Sequence, residues 1–331
     1  MLNSWKFAAC LALGLTSLTQ PAHAELRNIS IGTNPSGSVY NLIGSGLAKT
    51  FQEELGIRST AQPYAGESVY LPAISIGDIN MGLITTILAG LAWEGKAGYP
   101  QPLTNQRALA NVWHIPHAFI ARADSGIETM EDLRGKRVMG ELPTARALTA
   151  ISEAMLASGG LSTGDVDFLS SGGLMDGIAA VVEGRADAAP VAPSMPVLLE
   201  ANTSVPGGLR IVANGSLGSH EFFEEQLKGL TEGIAMANDK QPFVMGDTPI
   251  VSYDTILMAS DALSDDDAYT LTKTMYENWS NLQQDIGPMR SVPLDRLVLP
   301  DSPVPYHPGA VRFYKEVGLW TDAAEANQAK F

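Results

Sequence analysis

The 331-residue sequence predicts an α/β fold made of two lobes. Three observations predict it. Short β-branched or apolar runs alternate with longer runs of helical periodicity, the alternation stops at a loop rich in proline and glycine and then restarts, and the length suits two domains of ordinary size. The two successive α/β units do not repeat each other in sequence, which favours two lobes.

The first unit predicts three strands that alternate with three helices. The predicted strands cover 27–33, 58–64 and 80–85, and the predicted helices cover 39–55, 67–76 and 87–95. This β-α-β-α-β order implies a parallel sheet with helices on both faces. The loop rich in proline and glycine follows at 98–102, and a strand region at 111–122 comes after it.

The second unit repeats the alternation, and the C-terminal part departs from it. Its predicted strands are 136–139, 166–169, 186–191 and 209–213, and its predicted helices are 144–158, 174–183 and 195–201. A long strand at 250–259 follows, then a helix at 264–282 that Ser264 could cap, and a short helix at 308–317 that starts with proline. This tail could cover the first lobe.

The N-terminus has the three parts of a secretory signal peptide. Lys6 precedes an apolar run from Phe7 to Leu15, and Ala22-His23-Ala24 ends the segment. The run is shorter than the roughly 20 residues that span a bilayer. We therefore predict a signal peptide at 1–24, cleaved after Ala24, and an exported chain. The only cysteine, Cys10, would leave with it, so the exported chain would have no thiol.

The charge of the chain argues against nucleic acid as a partner. Acidic residues number 36 against 21 basic ones, a formal net charge of −15. Such a surface repels nucleic acid and anionic lipid. An anion can still bind where helix N-termini or one or two arginines supply local positive charge.

The junction between the first strand and the first helix is the first candidate binding site. Asn34, Ser36, Gly37 and Ser38 are small or hydroxylic, leave backbone N–H groups open and lie where the helix dipole is positive. An ordinary turn with a helix cap would explain the same residues. The segment is not a Walker loop, since no Lys-Ser/Thr pair follows, and it is not G-x-G-x-x-G.

Three more junctions have the same character. They contribute Gly66, Glu67, Ser68, Thr144, Arg146 and Ser194. Arginine in the first turn of a helix is unfavourable without an anionic partner, which could be Glu141 or a ligand carboxylate. Ligands of open α/β sheets bind beyond the carboxyl ends of the strands, where all four loops would lie.

Signals of catalysis or metal binding are weak. No G-x-S-x-G motif occurs. His114 and His117 flank Pro116 in what looks like extended chain, where the two imidazoles would diverge. We predict a protein that is not an enzyme and has no cofactor and no metal. Tyr40 and Trp113 could line a cleft, although aromatic residues are more often core.

Several stretches, in order, resemble TAXI-type solute receptors of TRAP transporters. They are Gly32-Thr33, Ser36-Gly37-Ser38-Val39-Tyr40, Leu47-Ala48, Gly66-Glu67-Ser68, Gly77-Asp78-Ile79-Asn80-Met81-Gly82, Asp132-Leu133-Arg134-Gly135-Lys136-Arg137-Val138, Gly184-Arg185-Ala186-Asp187-Ala188 and Val304-Pro305-Tyr306-His307-Pro308-Gly309-Ala310. Each is weak alone, but together they span nearly the whole exported chain.

The resemblance implies a type II periplasmic-binding-protein fold with the ligand cleft between the lobes. Lobe I would be 25–122 plus 248–331, and lobe II 123–247. Family ligands are small carboxylates, including glutamate-like compounds and dicarboxylates. Closure would present the protein to the membrane permease subunits of a TRAP transporter, in the periplasm.

On this basis each candidate residue receives a role in reversible capture of a small anionic solute. The first junction and Tyr40 would hold one end of the ligand. Gly66, Glu67, Ser68 and Trp113 would shape the cleft floor, while Thr144, Arg146 and Ser194 would close from lobe II. Arg146 would be the counter-ion. Glu67 would either turn away or meet an amino group.

The chain also departs from the family. Residues 141–146 replace its G-S-G-T loop, Asn34 and Pro35 replace glycines, and Tyr70 stands where asparagine is usual. Two alternatives to transport stay open: a periplasmic sensor partner that docks on a receptor kinase, and an enzyme on the same fold.

Overall fold

The computed structural model describes residues 26–331, so the predicted signal peptide lies outside the described residues. The strands of this part are β1 Asn28–Thr33, β2 Arg58–Pro63, β3 Met81–Thr85, β4 Gln106–Arg122, β5 Arg137–Glu141, β6 Asp167–Ser170, β7 Ala188–Val191, β8 Leu209–Val212, β9 Thr231–Ala235 and β10 Thr248–Ser260.

The α-helices alternate with these strands and then form the C-terminal tail. They are α1 Val39–Leu55, α2 Glu67–Ser75, α3 Thr86–Trp93, α4 Arg146–Ser158, α5 Leu174–Val182, α6 Val197–Ser204, α7 His220–Gln226, α8 Asp265–Glu277, α9 Trp279–Asp285, α10 Pro308–Glu316 and α11 Asp322–Gln328. None of these helices, over residues 26–331, is both long enough and apolar enough to cross a membrane.

The first lobe is built on a mixed sheet of order β2-β1-β3-β10-β4. Its first three strands are parallel, as the β-α-β-α-β pattern predicts, and β10 runs antiparallel to both β3 and β4. Helices α1 and α2 pack against these strands. Strands β1 and β3 are largely buried, as parallel strands usually are, whereas the edge strand β2 is mostly exposed or half-buried. The carboxyl ends of β1, β2 and β3 therefore open toward one edge, where the first two candidate junctions lie.

Strand β4 continues from the first lobe into the second. Its residues 106–117 pair with β10, and its residues 118–122 pair with β7 and β8. The second lobe then carries β5 between β7 and β6, parallel to both. A single 17-residue strand thus joins the two sheets.

Strand β9 connects the lobes a second time. It lies within the predicted lobe II, but it pairs antiparallel with the first five residues of β10, from Thr248 to Ser252. The predicted boundary between 247 and 248 therefore falls between two strands that hydrogen-bond to each other. The lobe limits of 25–122, 248–331 and 123–247 stay a prediction.

The ends of α1 and α8 follow from their capping residues. Ser38 accepts a hydrogen bond from the Asn41 N–H at 3.1 Å, and Gly56 ends α1 in the left-handed region at φ 67°. Ser264 accepts one from the Asp267 N–H at 3.1 Å, which starts α8 where the sequence predicts it. The C-terminal helices α8 and α10 pack on each other and on β4 of the first lobe.

Two predicted elements differ from the structure. The helix predicted at 264–282 is two helices, α8 and α9, which meet at Asn278, where the side-chain amide donates to the Thr274 carbonyl at 3.0 Å. Strand β4 begins at Gln106, five residues before the predicted strand region, because it pairs with β10 as far as Ser260. Helix α7, strand β9 and helix α11 have no counterpart in the prediction.

Candidate functional site

The two lobes touch where strand-to-helix junctions face each other. Gly66, before α2, lies so close to Thr144, before α4, that a Cβ on Gly66 would collide with the Thr144 carbonyl oxygen. The Arg146 N–H donates to the Ser68 Oγ at 3.2 Å across the same contact. Two of the four predicted junctions therefore meet face to face.

The Arg146 side chain reaches from the second lobe into the first. Its guanidinium donates to the Ala97 carbonyl oxygen at 2.5 Å and lies over the Tyr99 ring, 4.9 Å from the centroid. Tyr99 in turn donates from its hydroxyl to the Ser68 carbonyl at 2.9 Å. Within residues 26–331 no carboxylate pairs with Arg146, so Glu141 is not its partner.

Glu67 turns inward at the start of α2. Its side chain is buried, with the residue 3 % exposed. One carboxylate oxygen accepts from the Thr85 N–H at 2.8 Å and the other from the Thr85 hydroxyl at 2.9 Å. Burial raises the pKa of Glu67 from its ordinary value to about 7, although both Thr85 hydrogen bonds act in the opposite direction.

The charge of this carboxyl group acts on the pKa values of four tyrosines: Tyr40, Tyr70, Tyr99 and Tyr253. Burial is the main cause that raises the pKa of each one, to about 12 for Tyr99, and the charge of Glu67 raises it further. The charge of Glu67 thus acts on side chains contributed by α1, α2, a loop and β10. The Tyr40 hydroxyl lies 3.2 Å from the Thr255 Oγ1, and its ring meets Trp113 edge-on at 5.8 Å.

His117 lies on the same face of β4 as Trp113 and beside Tyr253, with ring centroids 5.8 Å apart. It is fully buried, and neither ring nitrogen has a hydrogen-bond partner within the described chain. Burial lowers the pKa of His117 to about 3. His114 lies on the opposite face, where its Nδ1 is 3.1 Å from the Asp254 carboxylate, so the two imidazoles diverge as the sequence predicts.

The junction after β1 contributes a cap and an unsatisfied amide. Ser38 caps α1, and Gly37 adopts a φ of 87°, which favours glycine. The Asn34 Oδ1 is buried and accepts no hydrogen bond from the described chain. Ser36 is exposed at the turn.

Ser194 follows β7 and is exposed. Its neighbour Pro193 accepts a hydrogen bond from the Gln241 side chain at 2.7 Å, within the second lobe. The structure therefore brings Gly66, Ser68, Thr144 and Arg146 into direct contact, whereas Ser36 and Ser194 remain at the surface.

Sequence reasoning missed four residues of this site, Thr85, Tyr99, Tyr253 and Thr255, and considered His117 only as a metal ligand. Thr85 ends β3, and the carboxyl ends of parallel strands lie at one edge of the sheet, where ligands bind. Thr85 was therefore predictable as a site residue. Tyr253 and Thr255 lie on β10, whose place beside β3 cannot be read from local pattern.

Known structures share this architecture. PhnD1 from Prochlorococcus marinus MIT 9301, solved with methylphosphonate, matches with a TM-score of 0.55 and 12 % identity over 80 % of this chain and 90 % of that one. A protein from Bordetella bronchiseptica RB50 matches with a TM-score of 0.52 and 18 % identity over 92 % and 93 %. A Xanthomonas citri protein bound to ATP matches with a TM-score of 0.52 and 12 % identity over 92 % and 98 %.

The fold is therefore that of two-lobed, type II periplasmic binding proteins, and the predicted fold class is confirmed. It is a fold of extracytoplasmic solute-binding proteins. The profile of the NMT1-like family matches residues 31–318, most of the sequence, and the chain belongs to that family. That the protein is not an enzyme stays a prediction, which the solute-binding fold supports.

Proposed function

We propose that the protein is an extracytoplasmic, TAXI-type receptor that captures a small carboxylate by lobe closure and delivers it to the permease subunits of a TRAP transporter. The ligand would be a glutamate-like amino acid or a dicarboxylate, and the protein would act in the periplasm. The observation that carries the proposal is Arg146, which crosses from α4 to the Ala97 carbonyl and the Tyr99 ring of the other lobe.

Arg146 has hydrogen-bonding capacity to spare. A guanidinium offers five N–H donors, and the Ala97 carbonyl occupies one side-chain donor in the described structure. Other N–H groups can hold a ligand carboxylate in the forked geometry that arginine favours. The open backbone N–H groups at the start of α1, beyond the Ser38 cap, would receive a second anionic group.

Where the junctions meet, the contact between the lobes is polar, which suits a reversible closure. It includes one backbone-to-hydroxyl hydrogen bond, one guanidinium-to-carbonyl hydrogen bond and the close approach of Gly66 to Thr144. A ligand that contacts both lobes would shift the open–closed equilibrium by its greater affinity for the closed form. The strands β4 and β10 would bend at the joint.

The test uses purified protein without its predicted signal peptide. We expect a carboxylate or amino acid from a panel to raise the melting temperature, to bind in calorimetry and to reduce the radius of gyration in solution scattering. Arg146→Ala should weaken binding of that compound at least tenfold, since a charge-assisted hydrogen bond contributes about 1.5–3 kcal/mol. The control is Arg185→Ala, an exposed arginine of the second lobe that pairs with Glu183.

Two results would count against the proposal. If no panel compound binds and the scattering curve never changes, capture by closure is wrong. If Arg146→Ala binds as tightly as the unmodified protein, the counter-ion role is wrong. Delivery is tested separately, by uptake of the bound compound into vesicles that carry TRAP permease subunits, with and without the receptor.

A further inference from the structure

At the carboxyl ends of β1 and β3, beside the junction that meets the second lobe, the first lobe holds buried hydrogen-bond acceptors. The Glu67 carboxylate is buried there, and its two oxygens have lone pairs beyond those used by Thr85. The Asn34 Oδ1, at the end of the neighbouring strand β1, is a buried acceptor without a partner in the described chain. A purely anionic ligand brings more acceptors, so it would satisfy none of these atoms.

His117 of β4 adds a buried unsatisfied group next to Tyr253. Its ring is 0 % exposed and lies against Tyr253, one of the four tyrosines on which the charge of Glu67 acts. A neutral imidazole has one N–H donor and one acceptor nitrogen, and both lack a partner in the described residues. Buried polar atoms are ordinarily hydrogen-bonded, so this pair indicates a missing partner with both kinds of group.

The charge at Glu67 is also unbalanced. Arg146 is the basic residue that reaches this contact, and its guanidinium is directed to the Ala97 carbonyl and the Tyr99 ring. No basic side chain acts on the pKa of Glu67, whose causes are burial and the two Thr85 hydrogen bonds. Faces of aromatic rings attract cations, and the Tyr40 hydroxyl contacts Thr255, which pairs with the Thr85 that binds Glu67. A buried carboxylate among aromatic rings is a site for a positive charge.

We propose that the ligand carries a protonated amino group, and that Glu67 receives this ammonium among the Tyr40 and Tyr253 rings while His117 hydrogen-bonds to the ligand. The inference rests on the proposed function and narrows it: of the two classes of ligand, the site takes the amino acid and rejects the dicarboxylate. Arg146 and the start of α1 then hold the carboxylate end. The ligand is a zwitterion that lies across the cleft.

Binding of an ammonium also releases a proton from the Glu67 carboxyl group to solvent. Glu67 is largely protonated below pH 7 in the free protein, and a bound ammonium requires the carboxylate, so binding at pH 6 releases up to one proton. The other groups around Glu67 do not titrate in this range. The pKa values of the four tyrosines are raised, and that of His117 is lowered to about 3.

The experiment compares matched pairs of compounds that differ by the amino group: glutamate with glutarate, and aspartate with succinate. Calorimetry is run at pH 6 and pH 8.5 in two buffers of different ionisation enthalpy, which measures protons released. We expect at least one amine to bind ten times or more tightly than its deaminated partner, with proton release at pH 6 and little at pH 8.5.

Three variants locate the effect. Glu67→Gln, which is isosteric and uncharged, should bring the preference for the amine to within about twofold and abolish proton release. Glu67→Asp keeps the charge and should keep the preference at lower affinity. Glu141→Gln, an exposed glutamate at the β5–α4 junction, is the control and should change neither.

The results separate this inference from the proposed function. A deaminated compound that binds as well as its amine, or a Glu67→Gln protein that keeps the full preference and proton release, overturns the ammonium site and leaves carboxylate capture standing. The absence of binding by every amine of the panel also overturns it. If Glu67→Gln does not fold, its thermal transition will be absent. The ligand preference of Glu67→Asp and the proton release of the unmodified protein in the two buffers then test the inference.

Discussion

At the scale of a single residue, the raised pKa of Glu67 makes the stability of the whole protein depend on pH. The unfolded chain ionises Glu67 near its ordinary pKa, while the folded protein holds it protonated up to about pH 7. Between these values the unfolded state binds fewer protons, so stability falls as pH rises. Below and above this window the contribution of Glu67 is constant.

We therefore predict that Glu67→Gln becomes increasingly more stable than the unmodified protein between pH 4.5 and pH 7.5. The difference in unfolding free energy should grow by up to the order of 3 kcal/mol, because one pKa unit corresponds to about 1.4 kcal/mol. Denaturant titrations at several pH values measure it. Subtracting the two proteins removes the opposite contribution of His117, whose lowered pKa destabilises the fold as pH falls. A difference that does not vary with pH would contradict the buried-acid interpretation.

Local sequence predicted some residues of the site and not others. Arg146 was recognisable because an arginine at the start of a helix needs a partner, and it does occupy the first position of α4. Its actual partners, the Ala97 carbonyl and the Tyr99 ring, come from the other lobe. The role of His117 depends on which strand lies opposite it, which no local pattern specifies.

At the scale of elements, the β2–α2 junction offers a test of closure. Gly66 has extended backbone at φ 174°, which any residue adopts, so a side chain there causes no backbone strain. Its Cβ would nevertheless collide with the Thr144 carbonyl of the other lobe. Each lobe should therefore fold normally in Gly66→Ala, while the lobes are held apart.

We expect Gly66→Ala to keep its thermal transition within a few degrees, to lose ligand affinity at least tenfold and to show a larger radius of gyration. Scattering with and without ligand is the measurement. Gly173→Ala is the matched control, because Gly173 also precedes a helix with extended backbone, at φ 163°, and a Cβ there would meet no atom of the described chain within 4 Å. Equal scattering curves for Gly66→Ala and Gly173→Ala would show that the Thr144 contact does not limit closure.

A second element prediction concerns the start of α8. Ser264→Ala removes the oxygen that accepts the Asp267 N–H and should lower the free energy of unfolding by about 1 kcal/mol. Ser264→Thr, which keeps a hydroxyl that can accept from the Asp267 N–H and donate to the Asp267 carboxylate, should restore most of it. Denaturant unfolding of the three proteins measures these free energies. An Ala variant as stable as the unmodified protein would show that the cap does not contribute to stability.

The bounds of elements were predictable where capping residues mark them. Helix α1 has the predicted bounds, with Ser38 before it and Gly56 after it. The break at Asn278 was missed because apolar periodicity runs through it, and the side-chain hydrogen bond to Thr274 became visible only in the structure. Strand β9 was missed because its residues are mostly exposed or half-buried and its partner, β10, comes later in the chain.

At the scale of the whole molecule, net charge should control how fast a ligand arrives. The chain carries a formal charge of −15, so an anionic ligand is repelled at long range even though the site attracts it at contact. Salt shortens the range of this repulsion, from about 30 Å at 0.01 M to about 8 Å at 0.15 M.

We predict that the association rate of a ligand with net negative charge, such as glutamate, rises about two- to threefold between roughly 10 and 150 mM salt. Stopped-flow tryptophan fluorescence can follow it, since Trp113 packs on Tyr40 at the site. Sucrose at equal osmolality is the control and should have no such effect. A rate that falls with salt would show that local positive charge at the cleft mouth, and not the total charge, steers the ligand.

The position of β10 has a consequence for biogenesis. This strand occupies the middle of the first sheet, between β3 and β4, yet it is synthesised late; its Thr255 meets Tyr40, 215 residues earlier. Until β10 emerges, the β3 edge has no neighbour and the first lobe cannot complete its sheet. Pairings over such separations form slowly. Slow completion of this sheet would keep the chain unfolded for passage through the export channel that the predicted signal peptide implies.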